Sequence, residues 1–147
     1  MQFKKLYEDP VIEEPEFSPS SAAVVIKSSG ENLYGVLYIP GDGGPHPTMI
    51  LLHGFPGTEK NLDMAQAFRR AGWNTLVFHY RGSWGSEGSF SFQNVLEDVK
   101  AALEFVKSEK TALKYRIDRQ KIVLVGHSMG GFATLLTAAD DPDIKAY

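Results

Sequence analysis

The sequence contains no cysteine. Disulfides and thiolate metal sites are therefore excluded. No apolar run approaches the ~20 residues that a membrane-spanning helix needs, so no membrane partner is expected. Neither sign of charge dominates: 15 Lys and Arg stand against 18 Asp and Glu, a formal net charge of −3. A nucleic-acid binder should be basic or carry a basic stripe, so no nucleic acid is expected either. The first ten residues hold two lysines but no apolar core, so they do not read as a signal peptide. A cytoplasmic location is the default expectation. No cluster of ligand-type residues has metal spacing. Gly41-Asp42-Gly43-Gly44 is followed by no lysine-serine or lysine-threonine pair, so it is not a phosphate loop. Neither metal nor organic cofactor is expected. Histidine is scarce: His46, His53, His79 and His127 are the four.

What is present begins with a polar, acidic stretch over residues 1–21, carrying Pro10, Pro15 and Pro19. It reads as an extended lead-in. From residue 22 onward the pattern is that of one domain, and 147 residues suffice for one sizeable core. Residues 22–27 and 33–39 are β-rich runs separated by Ser28-Ser29-Gly30-Glu31-Asn32, which is hairpin chemistry. Residues 48–52 form a short unbroken apolar run, the mark of a strand buried on both faces. Residues 59–71 read as a helix with Leu62, Ala65 and Phe68 on one side and Gly72 as its stop. Residues 74–80 are the next strand, and 81–89 a glycine- and serine-rich loop. Phe92, Val95, Leu96, Val99, Ala102, Leu103 and Val106 follow helical spacing, which predicts an amphipathic helix with these residues inward. Residues 121–125 are a further buried strand. Residues 129–139 are helical, with Phe132, Ala133 and Leu136 as the expected apolar face. A hairpin followed by β-α-β-α-β-α predicts an α/β fold with a mostly parallel sheet, five strands, three helices and helices on both faces.

The motif that carries chemistry is Gly126-His127-Ser128-Met129-Gly130, placed between a buried strand and an amphipathic helix. G-x-S-x-G in that context is a nucleophile elbow. Its glycines let chain segments approach closely around a serine with strained backbone. A serine hydroxyl is a poor nucleophile alone and needs an adjacent base. The bland alternative is that Ser128 merely caps the following helix. A second element, His53-Gly54-Phe55-Pro56-Gly57, follows the first parallel strand. A third, Tyr80-Arg81-Gly82-Ser83-Trp84-Gly85-Ser86-Glu87-Gly88, follows the next. For Arg81, Ser83, Trp84 and Ser86 two readings stand: an acyl pocket, or a self-packed loop with Arg81 bonded to backbone carbonyls. The second is preferred. Glu87 reads as solvated.

These three motifs, in this order, resemble the N-terminal part of an α/β-hydrolase, in the serine esterase and prolyl-oligopeptidase-like branch. The resemblance covers about residues 22–147. It implies an α/β-hydrolase fold with its C-terminal strands absent. It also implies an acyl-enzyme on Ser128, with the backbone N–H groups of Phe55 and Met129 as oxyanion donors. Two fixed donors aimed at a developing oxyanion are worth several kcal/mol, on the order of 3 or more each. The implied substrate is a small-molecule carboxylic ester. A prolyl-oligopeptidase-type peptidase is the alternative enzyme, although the short lead-in leaves no room for the extra domain such enzymes often carry.

In this family the acid and the histidine follow the serine. Only sixteen residues follow Gly131, and none is a histidine. His53 and His127 belong to motifs in which the family's histidines are structural, His46 lies in a proline loop and His79 ends a strand. Asp140, Asp141 and Asp143 cluster at a helix end and read as a solvated terminus. Residues 144–147 look like the entrance to a sixth strand, and a chain ending there would leave residues 122–125 as an apolar sheet edge. Three explanations follow. A complementing chain or C-terminal fragment supplies the acid and base; or a second copy pairs across the edge in a homo-oligomer; or the chain is a non-catalytic binding or scaffold protein. The first is the leading expectation.

Overall fold

The computed structural model describes residues 3–144, apart from the side chains of Phe3 and Lys5. Five strands are present: β1 (Ser20–Ser28), β2 (Glu31–Ile39), β3 (His46–Leu52), β4 (Asn74–Phe78) and β5 (Ile117–Gly126). They form one sheet in the order β1-β2-β4-β3-β5. The β1–β2 hairpin is antiparallel, and β2 pairs antiparallel with β4, while β3 runs parallel to both β4 and β5. The parallel strands therefore form the centre and one side, and the hairpin extends the other. Among the described residues β5 pairs only with β3.

Side-chain alternation explains the layering. Ile50, Leu52, Leu76, Phe78, Ile122 and Leu124 point to one face of the sheet. Met49, Leu51 and Val77 point to the other. Helices α2 (Phe92–Lys107) and α4 (Met129–Asp140) cover the first face through Val95, Val99, Ala102, Leu103, Val106 and Ala133. Helix α1 (Leu62–Arg70) covers the second through Ala65, with Met64 and Phe68 partly buried. Each buried aliphatic side chain contributes roughly 1.5–3 kcal/mol of transfer free energy. On α1's face Val123 and Val125 of β5 stay only part-buried.

Several expectations need correction. The lead-in is not simply extended. It contains two 3-10 turns, Phe3–Leu6 and Pro15–Phe17. Pro15 sits at the start of the second, where its fixed φ is already suitable, and the Leu6 carbonyl accepts from Arg70 Nε and Nη2 at 3.0 and 2.8 Å. A fourth helix, α3 (Glu109–Tyr115), was not expected. Ser108 ends α2 and caps α3, accepting from the Thr111 amide at 3.3 Å. Strand β4 stops at Phe78, so His79 and Tyr80 lie just beyond it. Helix α1 starts at Leu62 because Asn61 takes a left-handed φ of 52°.

The inward faces also differ. Phe92 is exposed, at 60%, although its spacing matched the apolar stripe. On α4 the expected Phe132 and Leu136 are 47% and 43% exposed, while Gly130, Ala133, Thr134 and Thr137 are buried. At its first turn the helix backbone rests on that of β3 at Gly130, and Met129 beside it is buried. Of residues 144–147 only Ile144 is described, and it is buried; the expected sixth strand lies outside the described residues.

The loop after β4 is fixed by charge. Asp98 of α2 is fully buried and accepts from the Arg81 amide at 2.8 Å, from Arg81 Nε at 2.7 Å and from Ser28 Oγ at 2.7 Å. Arg81 Nη2 also reaches Glu97 at 2.6 Å. Among the described residues one backbone carbonyl, that of Asn94 at 3.2 Å, shares the guanidinium, so its partners there are chiefly carboxylates. Glu87 is not merely solvated: its carboxylate accepts from the Asn32 amide at 2.8 Å and side chain at 3.0 Å. The acidic helix end is ion-paired, with Asp140 to Lys100 at 3.3 Å and Asp141 to Lys107 at 2.8 Å.

Removing one partner of a buried pair leaves an uncompensated charge. Asp98→Ala is expected to lose about 3–5 kcal/mol in chemical denaturation, with the loop after β4 loosened first in amide exchange. A loss below 1 kcal/mol would contradict this account of the loop.

Candidate active site

The turn between β5 and α4 is built by two glycines. A Cβ on Gly130 would lie 2.5 Å from the Leu52 carbonyl carbon and 2.9 Å from the His53 carbonyl oxygen. A Cβ on Gly126 would overlap the Gly130 carbonyl and stand 2.5 Å from Thr134 Oγ1. Strand β5, helix α4 and the end of β3 thus meet backbone on backbone. The His127 amide donates to the Leu52 carbonyl at 3.2 Å, and the Gly130 amide to the His127 carbonyl at 2.9 Å.

Within that frame Ser128 takes φ 55° and ψ −117°, a conformation rare for a residue with a side chain. Observed strain of this kind persists only where the surroundings over-determine it. Ser128 is exposed and sits at the cap position of α4, yet its side chain makes no capping hydrogen bond. The bland reading, a serine serving as helix cap, therefore fails on geometry. Its hydroxyl stands beside the helix N-terminus, where the dipole favours negative charge.

The His53-Gly54-Phe55-Pro56-Gly57 segment lies directly against this turn. A Cβ on Gly54 would lie 3.1 Å from Ser128 Cβ and 3.2 Å from the His127 carbonyl oxygen. Among the described residues, neither the Phe55 nor the Met129 amide donates to a backbone acceptor in a loop or turn. These two N–H groups, without such an acceptor among the described residues, therefore belong to residues beside Ser128 and beside Gly54.

Three carbonyls of the same segment are tied by side-chain donors. Tyr80 Oη donates to the His53 carbonyl at 3.1 Å. His53 Nδ1 contacts the Gly54 carbonyl at 2.8 Å, which makes it the protonated nitrogen. Trp84 Nε1 donates to the Pro56 carbonyl at 2.9 Å. Neither Tyr80 nor Trp84 was singled out for this role by the sequence. The only signal was their place in the glycine-rich loop after β4. Ser86 packs inward as well, donating to the His79 carbonyl at 2.8 Å and accepting from the Tyr34 amide at 3.0 Å. The self-packed reading of that loop holds for Ser86, whereas Arg81 is bound chiefly to the Asp98 and Glu97 carboxylates of α2 and Trp84 faces the neighbouring segment.

The histidines are not disposed as bases. Burial lowers the His53 pKa, and its ring packs 4.4 Å from Tyr80 and 5.6 Å from His79, centroid to centroid. His79 is pushed down to about 4, by burial first and by Lys60 and His53 after it. His46 is buried 3.5 Å from Asp42 and also lowered by burial. His127 is exposed within the turn itself. A run of aromatic rings leads away from Ser128. Phe55 packs 5.3 Å from Phe90, Phe90 5.9 Å from Phe92, and Phe92 6.5 Å from Phe132, on the first turn of α4. The structure thus brings Ser128, Met129 and Phe55 together and places no acid or histidine of the described residues beside them in a base-and-orienter arrangement.

Comparison with known proteins agrees with this architecture. Residues 47–147 match the family model described as the alpha/beta hydrolase fold. The quorum-quenching protein AidA of Acinetobacter baumannii is 34% identical over 116 residues, which cover 75% of this chain and 36% of that protein. Cutinase est2 of Thermobifida alba is 25% identical over 114 residues, covering 76% of this chain and 36% of the cutinase. Est1E from Butyrivibrio proteoclasticus, solved with ferulic acid bound, superposes with a TM-score of 0.70 at 26% identity. It covers 83% of this chain and 49% of its own. The chain spans about a third of the length of these two curated relatives. With its sheet order, its strained serine turn and this family match, the chain belongs to the alpha/beta hydrolase fold family.

Proposed function

We propose that this chain carries the nucleophile half of a serine hydrolase that cleaves carboxylic esters. Ser128 Oγ attacks the ester carbonyl and gives up its proton to a histidine. The former carbonyl oxygen takes the negative charge. The Phe55 and Met129 N–H groups face that oxygen and stabilise it. Collapse of the tetrahedral species expels the alcohol, which takes the proton back, and leaves an acyl group on Ser128. Water then repeats the sequence and releases the acid. The histidine and its orienting acid come from outside these 147 residues.

The observation that carries this reading is the uncapped, strained Ser128 pressed against Gly54. Ester-cleaving relatives such as the cutinase support an ester in preference to an amide. The exposed rings of Phe55, Phe92 and Phe132 favour an apolar substituent on it.

The test uses the protein assembled with the segments that complete it. A fluorophosphonate probe is expected to label Ser128 stoichiometrically, and a p-nitrophenyl ester to turn over faster than the matching anilide. Ser128→Ala should abolish labelling and lower ester turnover roughly 10⁴-fold or more. Preference for the anilide would favour the peptidase reading. No labelling would leave a binding or scaffold protein.

A second expectation separates His79 from the missing base. Its folded pKa, about 4, lies below its ordinary 6.5. Between those values the unfolded chain binds a proton that the folded chain does not. The stability linked to His79 is therefore complete above about pH 6.5 and falls away as pH drops toward 4. His79→Gln should flatten the loss of melting temperature over that window while leaving probe labelling at pH 7.5 intact. Loss of labelling in a folded His79→Gln protein would make His79 the base and refute its assignment here.

A further inference from the structure

We propose that Trp84 is a positioning residue for the oxyanion donor, holding the segment 53–57 so that the Phe55 N–H stays aimed beside Ser128; this rests on the serine-hydrolase reading above. The argument starts from the peptide plane. The Gly54 carbonyl and the Phe55 N–H belong to one planar unit and point in opposite directions. Whatever fixes the Gly54 carbonyl therefore fixes the Phe55 N–H. The His53 ring does so directly, through Nδ1 at 2.8 Å.

The His53 ring in turn needs a wall. Gly57, at φ 84°, is wedged between two rings: a Cβ there would lie 2.8 Å from His53 Nδ1 and Cε1, and 2.7 Å from Trp84 Nε1. The same Trp84 nitrogen donates to the Pro56 carbonyl at 2.9 Å, one peptide from Gly57. The indole thus clamps the far end of the segment against the His53 imidazole. The Tyr80 hydroxyl pins the near end through the His53 carbonyl at 3.1 Å. With both ends held, the central peptide of Gly54 and Phe55 has one orientation.

Two features set Trp84 apart from an ordinary packing residue. Its ring is 52% exposed and it belongs to neither core cluster. Its backbone takes φ 49°, in the left-handed region that a bulky residue adopts only where the surroundings hold it. Lys60 Nζ lies 4.7 Å from the ring centroid, over its face, whereas the clamp is the N–H bond in the plane of the ring, to the Pro56 carbonyl.

The decisive variant is Trp84→Phe, which keeps a ring and removes the N–H. In the assembled protein, kcat for a p-nitrophenyl ester is expected to fall about 10- to 100-fold. KM should stay within about twofold, and the fluorophosphonate labelling rate should fall with kcat. The melting temperature should shift by only a few degrees. Lys60→Met, which spares the N–H, should react like the wild type. Wild-type kcat in Trp84→Phe, or a loss expressed in KM alone, would overturn the proposal and leave the hydrolase reading standing. Backbone 15N relaxation gives a readout free of turnover. The Phe55 order parameter should drop from about 0.85 to below about 0.6 in Trp84→Phe, and an unchanged value refutes the clamp. If the wild-type protein itself takes no probe, it is the hydrolase reading that fails.

Discussion

Everything around Ser128 depends on one close approach, in which the backbone of α4 rests on the backbone at the end of β3. Gly130 has no room for even a methyl group against the Leu52 carbonyl, and Gly126 has none against Gly130. That contact sets how steeply the chain must turn between β5 and α4. With only His127 and Ser128 available for the turn, Ser128 is forced to a positive φ. Beyond Met129, α4 buries glycine, alanine and threonine and leaves Phe132, Leu135 and Leu136 facing outward.

The second constraint is the treatment of loops as rigid parts. The segment after β4 is held by the buried Asp98 through Arg81, by Ser86 between two backbone groups, and by Glu87 on the hairpin. It therefore behaves as a fixed arm, from which Trp84 and Tyr80 reach the segment after β3. Buried charge is costly unless fully bonded, and Asp98 meets that condition with three donors, of which only the guanidinium is charged. The result is a chain of fixed contacts from α2, through the arm, to the peptide of Gly54 and Phe55.

The titratable groups near Ser128 are committed to structural contacts. His53 is tied to a carbonyl and depressed by burial, so it acts as a neutral donor holding a loop. His79, its ring 5.6 Å away, is likewise depressed, to about 4. A general base works best with a pKa near the operating pH, and neither ring is kept in that state. The acidic residues after Ser128 are spent on Lys100 and Lys107 at the far end of α4. What is assembled around Ser128 is a strained, exposed serine turn packed against Gly54, on a chain that spans about a third of the length of these curated relatives.

Much of this was legible in the residues. Strand order followed from the alternation of apolar runs, and the tight turn at Ser128 from Gly126 and Gly130 between a buried run and a helical one. These are local signals, in which the spacing of neighbouring residues reports the backbone directly. Helix α3 escaped because residues 109–115 bury little more than Thr111 and Ala112 and show no apolar period. Phe92 and Phe132 were misplaced because periodicity reports which face is apolar, not how near the opposing backbone lies. The Asp98 and Arg81 pair and the Trp84 clamp are separated from their partners by 17 and 28 positions, and no local pattern encodes such a meeting. The sequence alone thus determined the order of the five strands and the family, because both are written in short-range spacing and local motifs. The tertiary structure alone decided which side chains hold the neighbouring loops still, because that depends on distances between segments brought together only by folding.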